Sequence, residues 1–231
     1  MIEAINIRKS FAGRCALHDV SFCVQRGEYA ALLGVNGAGK TTLIRILSAM
    51  TRPASGDAVI DGVSLHKNAN AVRSRIGVMS HTPFLYGDLS ALENLRFYAG
   101  MYALRNCDSH IDELLHRVNL HGRRYDLVRT FSRGMQQRLS LARALLHQPS
   151  ILLLDEPFTG LDIHAAQLLT DLLHQHIETG ITVLLTTHDI DFSLQYADRI
   201  MILKNGMLAA NESRATFSAK QIADLLDEAP Q

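Results

Sequence analysis

Hydrophobic positions along the chain follow two rhythms. Short apolar runs recur at Ile2 to Arg8, Ala16 to Val24, Tyr29 to Leu33, Asp57 to Ile60, Ile151 to Leu154 and Ile181 to Leu185, the lengths expected of strands. Between them lie stretches at helical spacing. Ser90, with Glu93 three residues on, forms a capping-box pattern ahead of Leu92, Leu95, Phe97 and Tyr98, so a helix starts there. Asp108 to Val118 reads as another. Met135, Leu139, Ala142 and Leu146 recur at helical spacing, with Gln136, Gln137 and Arg143 off the stripe, and Pro149 closes that segment. A helix over roughly His164 to Glu178 stops at Gly180, Asn205-Gly206 predicts a hairpin turn, and Phe217 to Leu226 forms a short amphipathic end. This alternation predicts an α/β domain on a largely parallel sheet, with the first two strands as an antiparallel edge. The predicted division is an α/β core, 1–85 and 150–231, interrupted by a helical subdomain at 86–149.

Composition narrows the class. With 231 residues, 47% hydrophobic and 20% charged, the chain has room for one large domain, and disorder or a coiled-coil rod is disfavoured. Lys plus Arg and Asp plus Glu both number 23, so no excess of charge recommends a nucleic-acid partner, and none is expected. No apolar run approaches the roughly 20 residues a membrane-spanning helix needs. The early Glu3 argues against a secretory signal. Cys15, Cys23 and Cys107 form no CxxC pair and read as packing residues of a reducing compartment.

Three segments carry candidate chemistry. Gly34-Val35-Asn36-Gly37-Ala38-Gly39-Lys40-Thr41-Thr42 follows a buried strand and opens the helical run Leu43 to Leu47. Glycines let backbone N–H groups converge on phosphate oxygens, Lys40 adds a full charge at the β- and γ-phosphates, and the Thr41 hydroxyl suits Mg²⁺. Ile151 to Pro157 places two adjacent carboxylates at the end of a buried strand. Strand alternation is expected to point them differently, Asp155 toward Mg²⁺ and Glu156 toward an attacking water. Phe131-Ser132-Arg133-Gly134-Met135-Gln136-Gln137-Arg138 begins a helix with a serine cap and free N–H donors. The remaining histidines, His174 and His176 among them, are not expected to form a metal site, because residues two apart on a helix diverge.

These segments, with Gly160-Leu161-Asp162 and Thr187-His188-Asp189, stand in an order and spacing that resemble the ATP-binding-cassette ATPases over nearly the whole chain. The resemblance implies a P-loop NTPase (RecA-like) core, ATP and Mg²⁺ as ligands, and Mg²⁺-dependent ATP hydrolysis. It further implies a head-to-tail dimer with a second cassette, identical or not, in which Ser132 and Gly134 contact the γ-phosphate held by the partner. His188 matches the family's switch histidine beside the γ-phosphate, Asp162 the residue coupling the two sites, and Phe11, 23 residues before Gly34, the ring that stacks on adenine.

Two positions depart from the family pattern. The usual LSGGQ appears as Phe131 to Met135, with Arg133 and Met135 replacing a glycine and a glutamine. His81 stands where a glutamine normally links core and helical subdomain, and an imidazole there would make that link sensitive to pH. The signature, Ser80-His81-Thr82-Pro83, the stretch Leu92 to Tyr98 and the short C-terminus look most like exporter-type subunits, including those of haem export in cytochrome c maturation, and the apolar Pro83-Phe84-Leu85-Tyr86 patch hints at a surface that meets a receiver. The expected partner is an integral membrane subunit on a separate chain, with this subunit peripheral on the cytoplasmic face. A soluble ATPase of cofactor assembly, and a scaffold without turnover, are the other readings.

Overall fold

In a computed structural model that describes residues 1–80, 82–177 and 180–227, the chain opens with an antiparallel hairpin, β1 (Ile2–Phe11) and β2 (Arg14–Val24). Strand β3 (Tyr29–Leu33) leads through the glycine loop into α1 (Lys40–Leu47). Then come β4 (Ser55–Ile60), β5 (Val63–Ser64), α2 (Ala69–Arg73) and β6 (Ile76–Met79). A helical stretch follows, with α3 (Ala91–Met101), α4 (Asp108–Arg117) and α5 (Arg133–Leu145). The chain finishes with β7 (Ile151–Asp155), α6 (Ile163–Ile177), β8 (Thr182–Thr187), α7 (Ile190–Tyr196), β9 (Arg199–Lys204), β10 (Met207–Ser213) and α8 (Ala219–Asp227).

The strands make two sheets. One is antiparallel, in the order β2-β1-β4-β5, and the other is six-stranded, in the order β10-β9-β3-β8-β7-β6. The expected antiparallel edge is therefore a separate sheet, and β10 alone runs antiparallel in the larger one. Every residue of β3, β7 and β8 is buried, which explains why they read as unbroken apolar runs: both faces of this sheet are covered. On one face Leu32, Leu153 and Leu184 pack with Leu43 and Leu47 of α1 and with Ile2 and Ile7 of the smaller sheet. On the other, Leu152, Leu154 and Leu185 pack with Leu139 and Ala142 of α5 and Leu169 of α6. Helix α1 thus lies between the two sheets.

Local predictions hold where the signal is chemical. Ser90 accepts from Glu93 N while Glu93 accepts from Ser90 N, closing the capping box of α3. Asn205 and Gly206 both take positive φ in the β9–β10 turn. Helix α5 packs so tightly on β6 that a Cβ on Gly77 would lie 2.3 Å from the Ala144 carbonyl oxygen. Cys15 departs from expectation, being exposed rather than packed.

The register of the larger sheet builds the site. Leu33 pairs with Thr187 and Asp155 with Thr186, so β3, β8 and β7 end side by side at their carboxyl ends. The glycine loop, His188 and the paired acids leave the sheet together at that edge, where ligands collect in open α/β sheets.

Candidate active site

Backbone geometry explains the glycines of residues 34–42. Gly39 sits at φ 109, immediately before α1, and a Cβ there would lie 2.6 Å from the Ala16 carbonyl oxygen. Gly34 is closed in from the other side, its Cβ position 2.5 Å from the Leu203 carbonyl oxygen. Gly37 takes φ 85 in the loop tip. Ala38 N–H donates to Val35 O at 3.1 Å, and Gly206 N–H donates to Ala38 O at 2.9 Å, pinning the loop to the β9–β10 turn. The loop, from Val35 to Thr42, lines a cleft of about 260 Å³ with Ala16 and Glu156. Asn36 and Gly37 are exposed at its rim.

Lys40 is only 6% exposed, folded back so that its ammonium donates to the Gly34 carbonyl and lies 3.3 Å from Glu156 Oε1. With one carboxylate and two loop carbonyls, Gly34 O and Val35 O, as acceptors on a buried cation, a phosphate oxygen can replace acceptors the lysine already uses inside the loop.

The two acids point apart for a reason other than strand alternation. Asp155 ends β7, 3% exposed, and its Oδ1 accepts from Thr186 Oγ1 at 2.7 Å and from Thr41 Oγ1 at 3.2 Å. Glu156 lies past the strand end at φ 51, and this left-handed turn swings its carboxylate toward Lys40 and His188. Its Oε2 meets His188 Nδ1 at 3.0 Å and accepts from Thr159 Oγ1 at 3.2 Å. The ring of His188 is 68% exposed, so it is anchored at one nitrogen and open to solvent elsewhere.

Thr186 and Thr159 were not singled out from the sequence. Thr186 accepts from Glu156 N–H at 3.0 Å while donating to Asp155, holding both acids with one hydroxyl. The available signal was a pair of threonines closing the apolar run Val183 to Leu185. A second cavity, about 670 Å³, adjoins the same centre and is lined by Thr41, Asp155, Glu156 and His188 together with Arg45, Met50, Ser80 and Phe84.

Other expected site residues lie away from these linings. Ser132 caps α5, accepting from Met135 N–H at 3.3 Å. Gly134 faces α6, where a Cβ would come within 2.9 Å of Ala165 Cβ. Asp162 caps α6 by accepting from Ala165 N–H at 2.8 Å. Phe11 is 50% exposed on the first hairpin, with the Lys9 ammonium 5.1 Å from its ring centre. Arg133 is exposed and reaches the backbone of Gly160, where a Cβ would sit 2.9 Å from its guanidinium carbon. His81 lies outside the described residues, as do the side chains of His174 and His176. Among the remaining histidines, not expected to form a metal site, His116 and His121 come together with Asp112, one donor atom of each within 4.8 Å of the others.

The donor set fits a magnesium nucleotide. Thr41 and Asp155 offer hard oxygen ligands, and the loop offers a buried cation beside the start of a helix. Such a cleft defines a P-loop nucleotide hydrolase. Residues 17–159 match the family described as ABC transporter, and the chain belongs to that family.

Among curated relatives, the linearmycin resistance ATP-binding protein LnrL of Bacillus subtilis is 34% identical over 98% of this chain and 73% of its own length. The Nod factor export ATP-binding protein I of Rhizobium johnstonii is 36% identical over 96% of this chain and 72% of its own. The chain spans only 39% of the Escherichia coli probable multidrug ABC transporter ATP-binding protein YbhF, at 34% identity. The solved ATP-binding subunit of an ABC transporter superposes with a TM-score of 0.89 at 30% identity, covering 99% of this chain and all of that one. A dimeric post-hydrolysis state of the cassette MJ0796, bound to ADP and Pi, superposes at 0.84 and 27% identity over 93% of this chain and 99% of that one. The chain is an ATP-hydrolysing subunit of the ABC kind, and among its described residues no helix is long and apolar enough to cross a membrane.

Proposed function

We propose that the chain powers an exporter, binding ATP with Mg²⁺ in the loop 34–42 and hydrolysing it as one half of a head-to-tail pair of cassettes. The observation that carries this reading is the position of Glu156, held between the Lys40 ammonium at 3.3 Å and the His188 imidazole at 3.0 Å, directly beyond the Thr41–Asp155 pair. Thr41 and Asp155 would hold Mg²⁺, which would supply charge neutralisation at the phosphates. Lys40 binds the β- and γ-phosphates and, on doing so, leaves Glu156 Oε1. The freed carboxylate takes the proton of the attacking water, and His188 orients that water and the γ-phosphate.

Two features support a composite site. Ser132 and Gly134 lie at an exposed to half-exposed helix start and line neither cavity of their own chain. In a head-to-tail pair they would meet the partner's γ-phosphate, with Asp162 at the junction and Phe11 stacking on the adenine. The segment 86–149 is proposed to act as a helical subdomain that moves against the core 1–85 and 150–231. The receiver is proposed to be an integral membrane subunit on a separate chain, which places this subunit at the cytoplasmic face.

Export follows the names of the relatives, given for linearmycin resistance, multidrug transport and Nod factor export. Haem export and cytochrome c maturation have no counterpart among these names and are not carried forward. Assembly is tested by gel filtration of Glu156→Gln with Mg²⁺-ATP. A dimer with ATP that dissociates with ADP is expected, and a monomer under both conditions would overturn the composite site.

A further inference from the structure

Far along the chain from the glycine loop and the paired acids, helix α4 carries Asp112 and His116 one turn apart on one face. The chain then reverses. Asn119, at φ 54, donates its N–H to His116 O at 2.9 Å, Leu120 N–H donates to Leu115 O at 2.8 Å, and a short 3₁₀ turn begins at His121. This reversal brings the His121 ring back over that of His116, stacked at 3.6 Å with 16° between the planes. Both rings direct Nε2 at one carboxylate. His121 Nε2 lies 3.0 Å from Asp112 Oδ1, and His116 Nε2 lies 3.8 Å from Asp112 Oδ2. The three donor atoms all fall within 4.8 Å of one another.

We propose that Asp112, His116 and His121 form a binding site for a divalent transition ion of the zinc type, separate from the magnesium nucleotide. Two imidazole nitrogens and one carboxylate oxygen match the donor preference of zinc, cobalt or nickel, whereas magnesium and calcium favour all-oxygen sets. A tilt of the stacked rings that turns both Nε2 lone pairs toward one point closes the set, and water completes a four-coordinate shell. One neighbour opposes the ion. Arg124 Nη1 lies 3.4 Å from His121 Nδ1 and 3.0 Å from His121 O. Ligation through Nε2 moves the imidazole proton to Nδ1, which then cannot accept from Arg124, and the guanidinium keeps the carbonyl it already reaches. The ion clips the end of α4 to the turn that follows, inside the 86–149 segment.

The test uses the full chain, stripped with chelator and titrated with Co²⁺, then with Zn²⁺ as competitor. One Co²⁺ per chain with visible d–d absorption is expected, displaced by Zn²⁺. His116→Ala and His121→Ala should each weaken binding by more than the roughly 10- to 100-fold that loss of an outer-shell partner costs. Arg124→Gln should strengthen it. All three variants should hydrolyse Mg²⁺-ATP like the parent in chelator-treated buffer, and His188→Ala should bind Co²⁺ like the parent. A parent chain without stoichiometric Co²⁺ absorption, or a His121→Ala variant that binds as tightly as the parent, overturns the site.

Discussion

Glu156 Oε2 lies 3.0 Å from His188 Nδ1 while its other oxygen lies 3.3 Å from the Lys40 ammonium, so the acid is held between a buried cation and an imidazole that is open to solvent. Its carboxylate is thereby placed before any nucleotide arrives. Glu156→Gln keeps the shape and removes the carboxylate proposed as the base, so turnover should fall by about 10²- to 10⁴-fold while ATP still binds. Single-turnover hydrolysis alongside nucleotide binding separates the two effects. Turnover within a factor of two of the parent would remove Glu156 from the chemistry.

Gly39 shows how narrowly the loop is built. Gly39→Ala forces a methyl group to within 2.6 Å of the Ala16 carbonyl oxygen at a φ of 109 that side chains rarely adopt. The loop must move, and ATP affinity should drop at least tenfold, on the order of 1.4 kcal/mol. Calorimetric binding to the variant checks this. An unchanged affinity would mean the loop tolerates displacement from β2.

The glycine loop was legible in the sequence because backbone N–H groups can converge on phosphate only where side chains are missing. The capping box at Ser90 and the turn at Asn205-Gly206 were legible for similarly local reasons. That Asp155 and Glu156 point apart was expected from strand alternation, but its cause was not legible, since it lies in the left-handed backbone of Glu156 beyond the end of β7. Strand β6 has only four residues, one of them Gly77, and α7 only seven, too short for periodicity to register. The meeting of His116 with His121 depends on the reversal at Asn119, and spacing alone did not reveal it.

Gly77 owes its identity to packing rather than to the site. Its φ is unremarkable, yet a Cβ would meet backbone at 2.3 Å where α5 crosses β6. Gly77→Ala should destabilise the fold by about 1–3 kcal/mol, because a backbone carbonyl cannot rotate away as a side chain can. Urea unfolding with an unchanged m-value would register this. A variant as stable as the parent would show that α5 can shift without cost.

His147 gives stability a pH dependence. It stacks on Tyr102 at 4.0 Å, its Nε2 contacts Ile76 O at 3.0 Å, and no hydrogen-bond partner for its buried Nδ1 exists among the described residues. Burial lowers its pKa below the ordinary 6.5, with the nearby Arg143 charge adding to the effect and the Ile76 bond opposing it. Below 6.5 the unfolded chain therefore binds a proton that the folded chain refuses. Stability is full above that pH and declines as pH falls toward the folded pKa. His147→Gln should flatten this slope in melting temperatures taken from pH 7.5 down to 5 (a window of about one unit above and 1.5 below the ordinary value), and an unaltered slope would assign the dependence to other groups.

The most direct test is Mg²⁺-dependent ATP binding and turnover by the parent chain beside Lys40→Ala. The parent should bind ATP, hydrolyse it only with Mg²⁺ present, and lose both properties on substitution, since the buried ammonium is the one full charge inside the loop. A parent without Mg²⁺-dependent affinity for ATP, or a Lys40→Ala variant that binds and hydrolyses it undiminished, would contradict the account.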